Sequence, residues 1–353
     1  MGAAGNVTLV TVARAVGVSP TTVSNAYNRP QKLSPALRER ILETARRLGY
    51  PGPNPAARSL RRGRAGSIGL LFGEALTYAF QDPGAVDFLR GLAEGTASDN
   101  TVLQLIAALD ADESLLANAI VDGLVVWTLP DRHPLLRLAR ERNIPLVIHG
   151  SPRLEGVPFV GMDDRAAARA AAEHLVQLGH RSFAIVSQPF GPSRRARLHD
   201  AAKPGRPSYR VTRERLAGYR AVVDAPIYEI AVNSRDEGRR AALALLEAGP
   251  RPTGVLAMSD ELALGVLAAA RELELRVPDD LSVVGWDDLP SASGLTTIAQ
   301  SLHEQGRMCA RLLIAATRGE LAGDDLVHLA PWSLVVRGST GPPPARRLAA
   351  AGG

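Results

Sequence analysis

From residue 67 onward the chain alternates two patterns. Short, nearly continuous apolar runs ("SIGLLF", "TVLQLI", "DGLVVW", "PLVIHG", "SFAIVS", "TGVLAM", "LSVVGW") are separated by stretches with helical spacing, such as 164–178 and 260–274. An apolar run without polar alternation marks a strand buried on both faces, as in a parallel sheet flanked by helices. About eleven such strands are too many for one comfortable open sheet. The pattern therefore predicts an α/β body over residues 67–340, with two parallel sheets side by side. Ligands in such folds sit at the carboxyl ends of strands and between domains. One segment breaks the pattern. Residues 188–210, "QPFGPSRRARLHDAAKPGRPSYR", are polar and Pro-rich without a clear period. They read as a mobile surface loop, although the arginines leave a second nucleic-acid patch open.

The first 50 residues predict three short helices instead. Thr8 can cap "LVTVARAV", which Gly17 stops, and Ser19 with Pro20 opens the next helix. The same pair recurs at Ser34 and Pro35, before a helix that Gly49 ends. In that third helix Leu37, Ile41, Ala45 and Leu48 form one apolar stripe. Two short helices joined by so tight a turn are a helix-turn-helix pattern. Residues 51–66, "PGPNPAARSLRRGRAG", are a linker by composition, yet Asn54 followed by Pro55 is another cap-and-first-turn signal. The linker thus predicts a short helix of its own. Residues 341–353, rich in Pro, Ala, Arg and Gly, read as a disordered tail.

Charge separates these regions. The net formal charge is only +5, but residues 1–66 hold eleven Lys and Arg against two acids, while the remainder carries 30 against 34. A basic head on a mildly acidic body points to a polyanion partner for the head alone. A single cysteine, Cys309, excludes an internal disulfide framework. No segment approaches the length of a membrane span, and the amino terminus has no long apolar stretch, so the expectation is a cytoplasmic protein without a membrane partner.

The helix "VSPTTVSNAY" fits that division. Val18, Val23 and Ala26 can face inward, leaving Pro20, Thr21, Thr22, Ser24 and Asn25 outside. Those residues are mediocre helix formers. Short hydroxyl and amide side chains can nevertheless approach a duplex closely and reach phosphates or base edges, where long mobile chains would not fix a register.

"VTLVTVARAVGVSPTTVSNAYN", "LSPALRERILETARRLGY" and "PNPAARSLRRGRAGSIGLL" resemble the DNA-binding head and hinge of the lactose-repressor/galactose-repressor family. The resemblance continues through "EHLVQLGHRSFAIV", "RERLAGYRA", "AMSDELALGVLAAARELELRVPDDLSVVGWDDL" and "LTTIAQ", covering most of residues 7–340. It implies a homodimer, or a dimer of dimers, reading a pseudo-palindromic double-stranded operator. Thr21 and Asn25 would then sit at major-groove reading positions, with Pro20 beside them and Ser19, Thr22 and Ser24 on phosphates. Thr8, Tyr27 and Asn28 complete the expected head contacts. Asn54, Ala57, Arg58 and Leu60 would belong to a hinge helix in the minor groove, Leu60 wedging into a base step. Two departures stand out. Asn25 occupies a position where the family often has Arg, and suits adenine rather than guanine. Thr11 replaces a frequent acid near the start of the first helix, which weakens the expected cap.

The family body resembles periplasmic sugar-binding proteins, with a small effector between two lobes. Arg215 matches the effector-binding arginine, and Asp287 the carboxylate that grips ligand hydroxyls. An arginine fork and a carboxylate facing one cleft suit a sugar or nucleoside-like molecule; a plain Arg215–Asp287 ion pair is the alternative. Strand ends add Phe80, Asp82, Trp127, Asn233, Ser259 and Gln300 as wall candidates. The carboxylate pairs Asp163–Asp164 and Asp287–Asp288 raise acid–base or metal chemistry, but adjacent residues point different ways. The chain carries no Gly-rich phosphate loop, nucleophile elbow or His/Cys cluster, so neither an enzyme nor a cofactor is expected. The expected function is a ligand-controlled transcriptional repressor. A regulator answering to a protein partner is the competing reading, and a transporter's solute-binding protein, which would leave the basic head without a job, a weaker one.

Overall fold

In a computed structural model, described over residues 7–52, 64–97, 101–109, 112–200, 204–321 and 323–344, the chain divides into two compact units, Met1–Gly66 and Ser67–Gly353. The first contains α1 (Leu9–Val16), α2 (Pro20–Asn28) and α3 (Pro35–Leu48). Each begins where a hydroxyl satisfies a free backbone N–H of the first turn: Thr8 accepts from Thr11, Ser19 from Thr22 and Ser34 from Leu37. Gly17 and Gly49 end α1 and α3 with φ of 76° and 73°, a left-handed turn open to glycine at little cost. The Thr11 expectation is corrected here. Its side chain accepts from the Thr8 backbone N–H at 3.3 Å while Thr8 accepts from Thr11 N–H, so threonine completes the reciprocal cap that an acid would otherwise make. Val12, Ala13, Val23, Ala26, Ile41 and Ala45 form the core, with Val18, Leu37 and Leu48 packed on it.

The second unit holds two sheets. Its strands are β1 (Ser67–Phe72), β2 (Val102–Ala107), β3 (Gly123–Trp127), β4 (Leu146–His149), β5 (Phe159–Gly161), β6 (Phe183–Ser187), β7 (Arg197–His199), β8 (Ile227–Glu229), β9 (Gly254–Ala257), β10 (Ser282–Asp287), β11 (Thr296–Gln300), β12 (Val327–Leu329) and β13 (Trp332–Val335). Its helices are α4 (Tyr78–Gln81), α5 (Pro83–Thr96), α6 (Glu113–Asn118), α7 (Pro134–Glu141), α8 (Asp164–Gln177), α9 (Arg210–Arg220), α10 (Arg235–Glu247), α11 (Asp260–Glu272) and α12 (Leu302–Arg318). The first sheet runs β12-β5-β4-β3-β1-β2 and its pairs are parallel. The second runs β13-β11-β10-β9-β6-β8-β7. Its two edge strands, β13 and β7, are antiparallel, which the expected all-parallel pattern did not include. Both sheets are covered on both faces, which explains the unbroken apolar runs.

Among the described residues the chain crosses between lobes after β5, after β11 and between β12 and β13. The first lobe therefore combines 67–161 with α12 and β12, and α12 packs on α5. Glycine allows that contact. A Cβ on Gly306 would run into the Phe88 carbonyl, and one on Gly91 into the His303 carbonyl.

Candidate functional site

On the head, α2 presents the residues singled out from sequence. Val23 and Ala26 are buried; Pro20 and Thr21 are exposed; Thr22, Ser24, Asn25, Tyr27 and Asn28 are half-buried. Several are already engaged. Ser19 Oγ lies 2.8 Å from Thr22 Oγ1, and Asn28 Nδ2 donates to the Ser24 carbonyl and hydroxyl. Tyr27 packs edge-on against Tyr50, with ring centres 6.1 Å apart. Thr21 and Asn25 thus stand on a surface whose backbone is fixed from behind by packing and from below by a cap. Asn54, Ala57, Arg58 and Leu60 lie outside the described residues.

The body holds a cleft of about 130 Å³ at the carboxyl ends of the strands. Its walls include Trp127 at the end of β3 with Thr128 beyond it, His149 at the end of β4, Met162 after β5, Met258 after β9, and the ends of β10 and β11. Six of the eight residues expected from sequence line it: Asp82, Trp127, Arg215, Asn233, Asp287 and Gln300. Phe80 does not. It is 69% exposed on α4, and Tyr78, on the opposite side of that short helix, lines the cleft in its place. Ser259 stands behind the wall. It caps α11 and donates to Asn233 Oδ1 at 2.5 Å, which directs the Asn233 amide to donate to Tyr78 Oη and Asp82 Oδ2, each at 3.0 Å. Asn233 belongs to the second lobe and Asp82 to the first, so this bond spans the cleft.

Arg215 makes its ion pair with Asp164, which the sequence reading named only as half of a carboxylate pair, and not with Asp287. Its Nε donates to Asp164 Oδ1 at 3.0 Å, Nη1 donates to the Met258 carbonyl at 2.7 Å, and the guanidinium lies 3.9 Å from the centre of the Trp286 ring. Asp163 caps α8, whereas Asp164, one residue on, is buried and turned into the cleft. The signal was the doubled acid after a strand end: one suffices for the cap, and the second needs another reason. Asp287 sits where β10 ends, at φ 113°, followed by Asp288 at φ 60°. Non-glycine residues there are strained, a pattern common at functional sites. Buried Asp260 holds the turn, accepting from Leu289 N–H and the Thr297 hydroxyl at 2.7 Å each. Burial raises the Asp260 carboxyl to about 6 and pushes Asp287 well above the ordinary carboxylate range, Arg215 opposing the latter.

A chain of amides joins the lobes. Gln300 Nε2 donates to Asp287 Oδ1 at 2.7 Å, Gln305 Nε2 donates to Gln300 Oε1 at 3.0 Å, and His149 Nε2 lies 3.0 Å from Gln305 Oε1. Each amide donates through its nitrogen and accepts through its oxygen, so the polarity runs through to the ring. His149 Nε2 carries the hydrogen, and Nδ1, buried without a partner, is a bare acceptor. Burial depresses the ring to about 4, keeping it neutral near pH 7.

The segment 188–210 is not the expected mobile surface loop. Over its described residues it leaves β6, adds β7 to the sheet edge and buries Phe190, which stacks on His199. Glu229, 2% exposed, accepts from Phe190 N–H, Arg197 and His199. Arg194 reaches the first lobe, donating to the Glu74 carboxylate and, at 2.8 Å, to the Gly73 carbonyl. Nor is the tail free at its start: Gly341 accepts from His180 and its N–H donates to Ser282. That arrangement makes His180 structural.

Two family models match the chain: "Bacterial regulatory proteins, lacI family" over residues 8–54 and "Periplasmic binding protein-like domain" over 172–340. An HTH-type transcriptional regulator of Mycobacterium tuberculosis is 38% identical, the match spanning 96% of this chain and 98% of that protein. The lac repressor dimer bound to operator and the anti-inducer ONPF superposes with a TM-score of 0.74 at 25% identity, covering 95% of this chain and 99% of that one. The regulator CelR in complex with cellobiose gives 0.66 at 26%, covering 94% and 99%. Head, two-lobed body and relatives agree: this chain belongs to the lacI family of bacterial transcriptional regulators.

Proposed function

We propose that the chain is a repressor that binds a pseudo-palindromic operator as a homodimer, its grip set by a small sugar-like metabolite in the cleft. One observation carries this reading. Polar groups from both lobes converge on one cleft, with Asp82, Tyr78 and His149 from the first facing Asn233, Arg215 and Asp287 from the second. A ligand that touches both lobes binds the closed form better than an open one, and only such a difference in affinity can shift a conformational equilibrium. The solved neighbours support the two halves: the lac repressor is a dimer on its operator, and CelR holds cellobiose. In the head, Thr21 and Asn25 are the proposed base readers, with Ser19, Thr22 and Ser24 toward the phosphates.

A coupling of about 1–3 kcal/mol would change operator affinity about 5- to 150-fold, and DNA would change ligand affinity by the same factor. Fluorescence anisotropy on DNA from upstream of the chain's own gene, with and without neutral sugars, tests it. The expected result is a sequence-specific complex of two chains whose affinity moves with one sugar. Absence of any sequence-specific complex sinks the reading.

A further inference from the structure

The charges that line the cleft are not balanced one for one. Glu74, Asp82, Asp164 and Asp287 face it, against Arg194 and Arg215. Both guanidinium groups are already occupied. Arg215 is held by Asp164, the Met258 carbonyl and the Trp286 ring. Arg194 is held by Glu74 and the Gly73 carbonyl, with side-chain exposures of 12% for the arginine and 22% for the glutamate. The carboxyl groups left over, Asp82 and Asp287, have no cation bonded to them: Asp82 is met by Asn233, Ala85 N–H and Tyr78, and Asp287 by Gln300, with Arg215 acting on it only as a nearby charge. Two further polar atoms are buried without a partner: His149 Nδ1, an acceptor, and Arg194 Nε, a donor.

We infer that the Glu74–Arg194 pair makes this cleft selective for uncharged, hydroxyl-rich ligands, by occupying the arginine that a phosphate or carboxylate on the ligand would otherwise find. Hydroxyls both donate and accept, so one polyol can donate to Asp82, Asp287 and His149 Nδ1 while accepting from Arg194 Nε. An anionic ligand meets the carboxyl groups of Asp82 and Asp287, which cannot compensate its charge, and, among the described residues, no uncommitted cation, in a space where charges are poorly screened. Glu74 lies just after β1 and Arg194 on the segment after β6, so the pair also joins the two lobes.

This rests on the cleft being the effector site, and the experiment separates the two claims. Calorimetry and thermal shift on the full chain would compare D-ribose with ribose 5-phosphate, D-glucose with glucose 6-phosphate, and D-galactose with galacturonate. Wild type should bind at least one neutral probe and none of its anionic counterparts. Glu74→Gln keeps an acceptor for Arg194 but removes the compensating charge. It should gain affinity for the anionic counterpart by about ten- to a hundredfold, the scale of one charge-assisted hydrogen bond. The double variant Glu74→Gln/Arg194→Gln should lose that gain. Should Glu74→Gln not fold, Arg194→Gln makes the reverse change and should favour D-glucosamine over D-glucose. Wild-type binding of an anion as tightly as its neutral partner, or single variants with unchanged preferences, overturns the inference alone. If no probe of either charge binds a chain that still forms its operator complex, the metabolite reading fails and this inference with it.

Discussion

Asn25 is half-buried on α2, held by a helix that Val23 and Ala26 anchor and Ser19 caps. An amide in that position matches the paired acceptor and donor of an adenine edge. Asn25→Ala should therefore cost about 1–3 kcal/mol of operator affinity and relax preference at one base pair per half-site. Competition binding against single-base operator variants measures both, and a uniform loss across all variants would argue for a phosphate contact instead. His149 makes a different prediction, about stability. Its neutral form is favoured in the fold, with the ring depressed from the ordinary 6.5 to about 4. The folded protein then binds fewer protons than the unfolded chain between those values. The contribution is fully present above pH 6.5 and is lost as pH falls toward 4, at about 1.4 kcal/mol per pH unit. His133, His174 and His180 shift in the same direction through burial, so the comparison must be with a variant. The difference in Tm between wild type and His149→Gln should narrow as pH falls from 6.5 to 4.5; a constant difference would show that the ring does not titrate in this way.

At the scale of elements, helix starts were legible because they are local: a hydroxyl or acid, then the N–H three residues on. Strands buried on both faces were legible from their unbroken apolar runs. Asp164 was not, because its inward turn depends on Arg215, 51 residues away. The segment 188–210 was misread for the same reason. Its order comes from Glu229 and Glu74, on elements distant in sequence, and no local period announces that. Tyr78 takes the place expected of Phe80 because α4 spans only four residues, too few for a period to fix its face. The α5–α12 contact makes a prediction at this scale. Gly306→Ala must push α12 away from the Phe88 carbonyl, costing about 1–3 kcal/mol by overpacking. Denaturant unfolding should show it as a lower midpoint, and an unchanged midpoint would mean that the helices can separate freely.

For the whole molecule, charge is divided as cleanly as structure. The eleven basic residues of the first 66 would face a polyanion, while the body carries a small acidic excess. Operator affinity should fall linearly on a log–log plot against salt, with slope about −0.9 for each phosphate neutralised. Several such contacts per head would lower affinity by orders of magnitude between low and physiological salt. A flat response would require recognition without counterion release. Sugar binding in the body should be far less salt-sensitive if the ligand is uncharged, so one titration series separates the two activities.

Neither lobe is written in one stretch of sequence. The first begins at β1, yet its core also contains Leu302, Cys309, Ala310, Leu312 and Leu313 of α12. A ribosome must therefore deliver 140 residues of the second lobe, from 162 to 301, before the earlier one can be completed. The first half of the body waits as an open sheet with an uncovered apolar face. The second half, though later in order, has most of its own core by the time α11 and β10 emerge. In synthesis the later-coded lobe is thus positioned to fold first, and a chain released early would be stranded with its sticky half exposed.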